Sequence, residues 1–89
     1  MYLENVYFTN LYVHNVHMKD SIYKKIGQNI KKYREINKLT QQELANKIGK
    51  GLNFVGKIEI AFSRPSLNTL IDISFALDIE LKDLLTFDK

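Results

Sequence analysis

Between Thr40 and Gly49 the chain has room for only about two turns of helix, and the residues themselves mark both ends of that space. Thr40 stands three positions before Glu43. At that spacing a threonine hydroxyl and a glutamate carboxylate each satisfy an orphaned backbone N–H at a helix start. Leu44, Ala45 and Ile48 then come round to one face, and Gly49 follows where a left-handed residue would stop the helix. The small Ala45 lets another helix cross closely, and Gly49 lets the chain turn sharply, so two helices joined here brace one another. Gly51 or Leu52 is expected to open the next helix. At 100° per residue its inward face holds Val55, Ile58, Glu59 and Phe62, while Asn53, Gly56, Lys57 and Ile60 cluster on the opposite face.

Helical spacing continues on both sides of this pair. Asp20 or Ser21 can cap a helix running to about Asn37, with Ile22, Ile26, Ile30 and Tyr33 as its apolar stripe. Pro65 marks the start of a fourth helix, in which Leu67, Leu70, Ile71, Ser74 and Leu77 recur at helical intervals. A short last helix, ELKDLLTF, is expected to bury Leu81, Leu84 and Leu85. The predicted fold class is all-α: a five-helix domain over residues 19–89, preceded by an N-terminal arm over 1–18. The arm reads as extended or mobile because Val6, Phe8, Tyr12 and Val16 partly alternate. Met18 offers an alternative start that would leave the helical part whole.

The 89 residues, 45% of them apolar, suit one small core. Cysteine is absent, so neither disulfides nor thiolate metal sites are expected, which fits a reducing compartment. There is no basic leader followed by an apolar run and no stretch of eighteen apolar residues, so no membrane partner is expected. The net charge of +3 conceals a segregation: residues 19–64 carry +7 and residues 65–89 carry −3. A side so basic suits a polyanion.

Gln41, Ala45, Gly49, Val55 and Glu59, with the capping box before them and RPSLNTL and FALDIELKDLL after them, resemble the lambda-repressor and Cro-like helix-turn-helix domains, in particular short stand-alone regulators such as restriction-modification controller proteins. The resemblance covers roughly residues 22–86. It implies a non-enzymatic, sequence-specific regulator of transcription, a repressor or controller without a cofactor, cytoplasmic and nucleoid-associated, acting as a homodimer on an inverted repeat in double-stranded DNA. In such domains the second helix of the motif enters the major groove. Carried over to this chain, Asn53 pairs with adenine, Lys57 reaches guanine O6 or N7, and Leu52 meets a thymine methyl. Gln41 contacts a phosphate at the start of its helix, Lys50 and Arg64 flank the same surface as phosphate contacts, and Phe54 packs at its edge. Gly56 leaves backbone bare where a groove wall or base edge would approach; the alternative is a tolerated weak spot costing about 1 kcal/mol. The resemblance also implies an ion pair between Arg34 and Glu59 that fixes the recognition helix. The chain departs from the family at Gly51, where a serine or threonine usually opens that helix, and in IAFSR, where Phe62 is expected in the core or across a dimer. Phe75, Leu85 and Phe87 form the expected dimer surface.

Two rival readings are weaker. Catalysis lacks a nucleophile with its base or a phosphate loop, and His14 and His17 lack further ligands for a metal. A protein-binding module, such as an antitoxin anchored through Tyr2, Tyr7, Phe8 and Tyr12, is compatible with DNA binding and is the main alternative.

Overall fold

Residues 20–87 are described by the computed structural model, and among them there are helices and no strands. Helix α1 covers 20–36, α2 Gln41–Lys47, α3 Phe54–Glu59, α4 Leu67–Ala76 and α5 Leu81–Leu84. The expected arm at 1–18, with its aromatic residues and both histidines, lies outside the described residues. No helix among the described residues is long and apolar enough to cross a membrane.

Every helix contributes to one core. Ile26 and Ile30 of α1 meet Leu44 and Ala45 of α2, Val55 and Ile58 of α3, Leu70 and Ile73 of α4, Leu77 just beyond it, and Leu84 of α5. Each fully buried aliphatic side chain contributes about 1.5–3 kcal/mol relative to exposure, so short helices that would fray alone hold one another in place. Two asparagines tie the helix ends. The Asn29 amide donates to the carbonyls of Leu84 and Thr86 at 3.0 and 2.9 Å, and that of Asn37 to Tyr33 and Leu77 at 2.8 and 3.2 Å.

The start of α2 has the expected reciprocal cap: the Glu43 N–H donates to Thr40 Oγ1 at 3.0 Å, and the Thr40 N–H donates to Glu43 Oε1 at 2.8 Å. Its end is also as expected, with Gly49 left-handed at φ 70°. The Lys50 N–H reaches back to the Ala45 carbonyl at 2.8 Å, which closes a Schellman motif. The same closure ends α1, α3 and α4, but there the left-handed residues are Lys38, Ala61 and Asp78. Glycine therefore marks one of four identical stops.

Several expected positions shift. The third helix opens at Phe54 rather than at Gly51 or Leu52, because Asn53 takes φ 70° and ends a turn before helical backbone begins. Phe62 is 75% exposed instead of in the core: α3 stops at Glu59, Ala61 reverses the chain, and the helical period no longer predicts direction. Pro65 precedes the cap of α4 rather than entering its first turn, since Ser66 is the N-cap and accepts from the Thr69 N–H at 3.2 Å. Ile22, in the apolar stripe of α1, and Leu85, expected buried as well as on a dimer surface, stand 40% and 42% exposed around a groove with Leu67, itself 60% exposed.

Candidate nucleic-acid interface

The setting of α3 depends on Glu59, whose side chain is almost wholly buried at its end. Arg34 of α1 donates from Nε to Glu59 Oε2 at 2.6 Å and from Nη2 to Oε1 at 3.1 Å, the two-pronged geometry that suits a planar guanidinium. Its Nη1 donates to the Leu39 carbonyl at 2.8 Å, so the arginine also pins the α1–α2 link. The hydrogen bond to Glu59 raises the Arg34 pKa against the opposing effect of burial, and the group stays charged. From α2, Gln41 Nε2 donates to Glu59 Oε1 at 2.9 Å. Three helices thus converge on one carboxylate, and no buried side-chain polar atom among the described residues lacks a partner. The implied pairing of Arg34 with Glu59 is present.

Two glycines let these helices approach, for different reasons. A Cβ on Gly27 would lie 2.5 Å from the Ile58 carbonyl oxygen and 2.6 Å from that of Glu59, so α1 crosses the end of α3 at backbone contact. Sequence reasoning missed this position, although an isolated glycine within a helical pattern is a signal of close packing. At Gly56 the nearest atoms are those of the Gln41 amide, with Oε1 at 3.1 Å from an added Cβ. The bare backbone expected to admit a groove wall is therefore occupied by Gln41, which lies across it on the way to Glu59.

The outer side of α3 is open. Asn53 is exposed at the N-cap and makes no side-chain capping bond, so its amide keeps both donor and acceptor functions. Lys57 is exposed one turn later, with Nζ 6.0 Å from the centroid of the Phe62 ring, and Leu52 is 78% exposed. Lys50 Nζ stands 5.3 Å over Phe54, whose ring packs in part against the core. The structure thus gathers Gln41, Lys50, Leu52, Asn53, Phe54, Gly56 and Lys57 on or beside the α2–α3 unit. Arg64 is differently placed: it pairs with Asp20 at 2.6 Å and lies 4.9 Å from the Tyr23 ring centroid, at the rim of the groove by Ile22 and Leu67.

A family model described as Helix-turn-helix matches residues 30–84, from within α1 to the end of α5. Control protein C.SmaI of Serratia marcescens is 34% identical over 61 residues, which are 68% of this chain and 73% of that protein. The uncharacterized HTH-type transcriptional regulator YqaE of Bacillus subtilis (strain 168) is 41% identical over 59 residues, which are 66% of this chain and 51% of that protein, so the chain spans about half its length. Among solved structures, the restriction-modification controller protein C.AhdI from Aeromonas hydrophila superposes with a TM-score of 0.67 at 32% identity, over 70% of this chain and 94% of that one. The hypothetical transcription factor NHTF from Neisseria superposes with a TM-score of 0.72 at 21% identity, over 74% of this chain and 76% of that one, a likeness of fold alone.

Proposed function

This chain belongs to the Helix-turn-helix family, and on that premise we propose that it is a DNA-binding transcriptional regulator that docks α3 in the major groove and reads sequence from it. The observation that carries the reading is the two-sidedness of α3. Val55, Ile58 and Glu59 lock its inner face to the core, while Asn53 at its N-cap and Lys57 on its outer side are exposed, Lys57 lying only beside the exposed Phe62 ring. A helix about 10–12 Å across fits a major groove of about 12 Å. Asn53 then pairs with adenine, Lys57 donates to guanine O6 or N7, and Leu52 covers a thymine methyl. Gln41 has an amide hydrogen beyond the one it gives Glu59, and that hydrogen together with Lys50 serves the phosphate backbone. Arg64 joins them at little cost, because an exposed pair such as its bond to Asp20 contributes only about 0–1 kcal/mol.

One such module makes few base contacts, so useful specificity calls for a homodimer on an inverted repeat with half-sites about one helical turn apart. The groove ringed by Ile22, Leu67 and Leu85 is the self-association surface that best suits this reading. Of the three residues expected from sequence, Leu85 borders this groove, Phe75 lines two hollows beside α4, and Phe87 is half-buried against the core beneath Lys25. The test is selection of bound sites from a random duplex library, followed by anisotropy titrations across salt with the native chain and an Asn53→Gly, Lys57→Ala double variant, glycine being the residue that keeps the left-handed backbone at position 53 without strain. A recurring inverted repeat, no longer preferred by a variant that melts normally, supports the proposal. Steeply salt-dependent but sequence-blind binding overturns it.

A further inference from the structure

Phe75 is 78% exposed on the outer side of α4, among the most exposed of the large apolar residues. It stands as a ridge between two shallow hollows. One, of about 540 Å³, is floored by Ile48 and Ala76 between α2 and α4. The other, of about 460 Å³, runs past Ile79 toward α5. Carboxylates surround the ridge: Asp72 borders the first hollow, and Asp78, Glu80 and Asp83 border the second. Opposing them are Lys47 at one end and Lys82, which is already paired with Glu80 at 3.3 Å. The balance is negative, in agreement with the −3 of residues 65–89 against the +7 of residues 19–64.

This sign decides among the possible occupants. Nucleic acid is repelled. A second copy meeting the face through a twofold axis would bring together two patches of the same net negative charge, because both subunits present the same surface. An exposed aromatic between two hollows is instead the form of an interface anchor, and an acidic rim orients and retains a cationic partner. We infer that the Phe75 face is a docking surface for a basic protein segment, one that sets an apolar side chain into a hollow beside Phe75 and lysines or arginines against Asp72 and Asp78. The surface lies on α4, α5 and the end of α2 and uses none of the residues assigned to DNA, so the two assignments stand or fall separately. A regulator with such a face holds DNA on one side and a protein on another.

The experiment is an NMR titration of the isotope-labelled full chain with two synthetic amphipathic helical peptides, one of leucine and lysine and the other of leucine and glutamate. The proposal expects the lysine peptide alone to bind, with shifts centred on Phe75 and its flanking carboxylates and with affinity that falls as salt is added. Phe75→Ser removes an exposed side chain from a surface position, so the fold persists, and affinity drops by about tenfold, as for truncation of an interface anchor. Asp72→Asn with Asp78→Asn weakens binding and flattens its salt dependence. The proposal is overturned if no binding is detected, if both peptides bind alike, if the shifts map elsewhere, or if the Phe75→Ser variant binds as the native chain does. It is equally overturned if Phe75→Ser converts a dimer to a monomer in sedimentation, since the occupant is then a second copy.

Discussion

Gly27→Ala and Gly56→Ala make the same chemical change in two helices, and the structure gives them different consequences. With nothing else in play, each substitution favours the helix by about 1 kcal/mol. A Cβ on Gly27, however, would sit 2.5 Å and 2.6 Å from the carbonyl oxygens of Ile58 and Glu59. Carbon–oxygen contacts ordinarily begin at about 3.3 Å, so α1 must retreat from α3 by roughly 0.7 Å. Backbone oxygens have no rotamer in which to yield, and the retreat also stretches the Arg34–Glu59 bonds of 2.6 and 3.1 Å. Overpacking costs about 1–3 kcal/mol; adding the strained ion pair and subtracting the helix gain leaves a net loss of about 2 kcal/mol. For a domain of this size that lowers Tm by about 8–16 °C. At Gly56 the new methyl meets only the end of the flexible Gln41 side chain at 3.1 Å. Gln41 yields by a few tenths of an ångström, which weakens rather than breaks its hydrogen bond to the Glu59 carboxylate, worth about 1.5–3 kcal/mol when whole, so the loss roughly cancels the helix gain. Thermal and urea melts by circular dichroism on both variants decide the matter. A Gly27→Ala protein that melts at or above the native temperature, or two variants destabilised equally, refutes the packing argument.

Glu59→Ala strips the partners of Arg34 and Gln41 at a site where the guanidinium is buried, and is expected to cost about 3–5 kcal/mol; a normal melt with altered sequence preference would contradict the structural role of the pair. Ala61 closes α3 at φ 61°, so Ala61→Gly relieves about 1–2 kcal/mol of left-handed strain against about 0.4–1 kcal/mol of added chain entropy. A modest rise in the urea midpoint is expected, and a fall would contradict the strain. The Glu43 carboxylate is held below its ordinary pKa by the N–H and hydroxyl of Thr40. A depressed folded-state pKa means that the contribution is complete above the unfolded pKa, about 4.3 for glutamate, and disappears as pH falls through the lower folded value. Glu43→Gln should therefore flatten the acid limb of Tm against pH, and an unchanged limb would show that the cap does not titrate with stability.

Much of the fold was legible because its signals are local. Thr40 with Glu43 and the turn at Gly49 are set by a few neighbouring residues, and the structure repeats them closely. Arg34 and Glu59 are 25 positions apart, and only the family resemblance joined them. What eluded the sequence is tertiary. The partner of Gly56 is the tip of a side chain from another helix, and the close crossing at Gly27 exists only once α1 and α3 meet. Three helices close on left-handed Lys38, Ala61 and Asp78, residue types that give no warning of it, and past such a stop the helical period misplaced Phe62. The candidate site was named largely by position in the motif. The structure adds that Gln41 braces α3 and that Arg64 begins in an ion pair with Asp20.

The central claim is that the outer face of α3 reads bases, and a thermodynamic cycle between one side chain and one base edge tests it most directly. Native chain and Lys57→Ala are titrated against the selected duplex and against copies carrying 7-deazaguanine at each guanine in turn. The account predicts one guanine at which loss of N7 weakens the native chain by about tenfold and leaves Lys57→Ala nearly unaffected, as a direct base contact worth about 1–3 kcal/mol requires. Losses that simply add, at every guanine in the site, would contradict it.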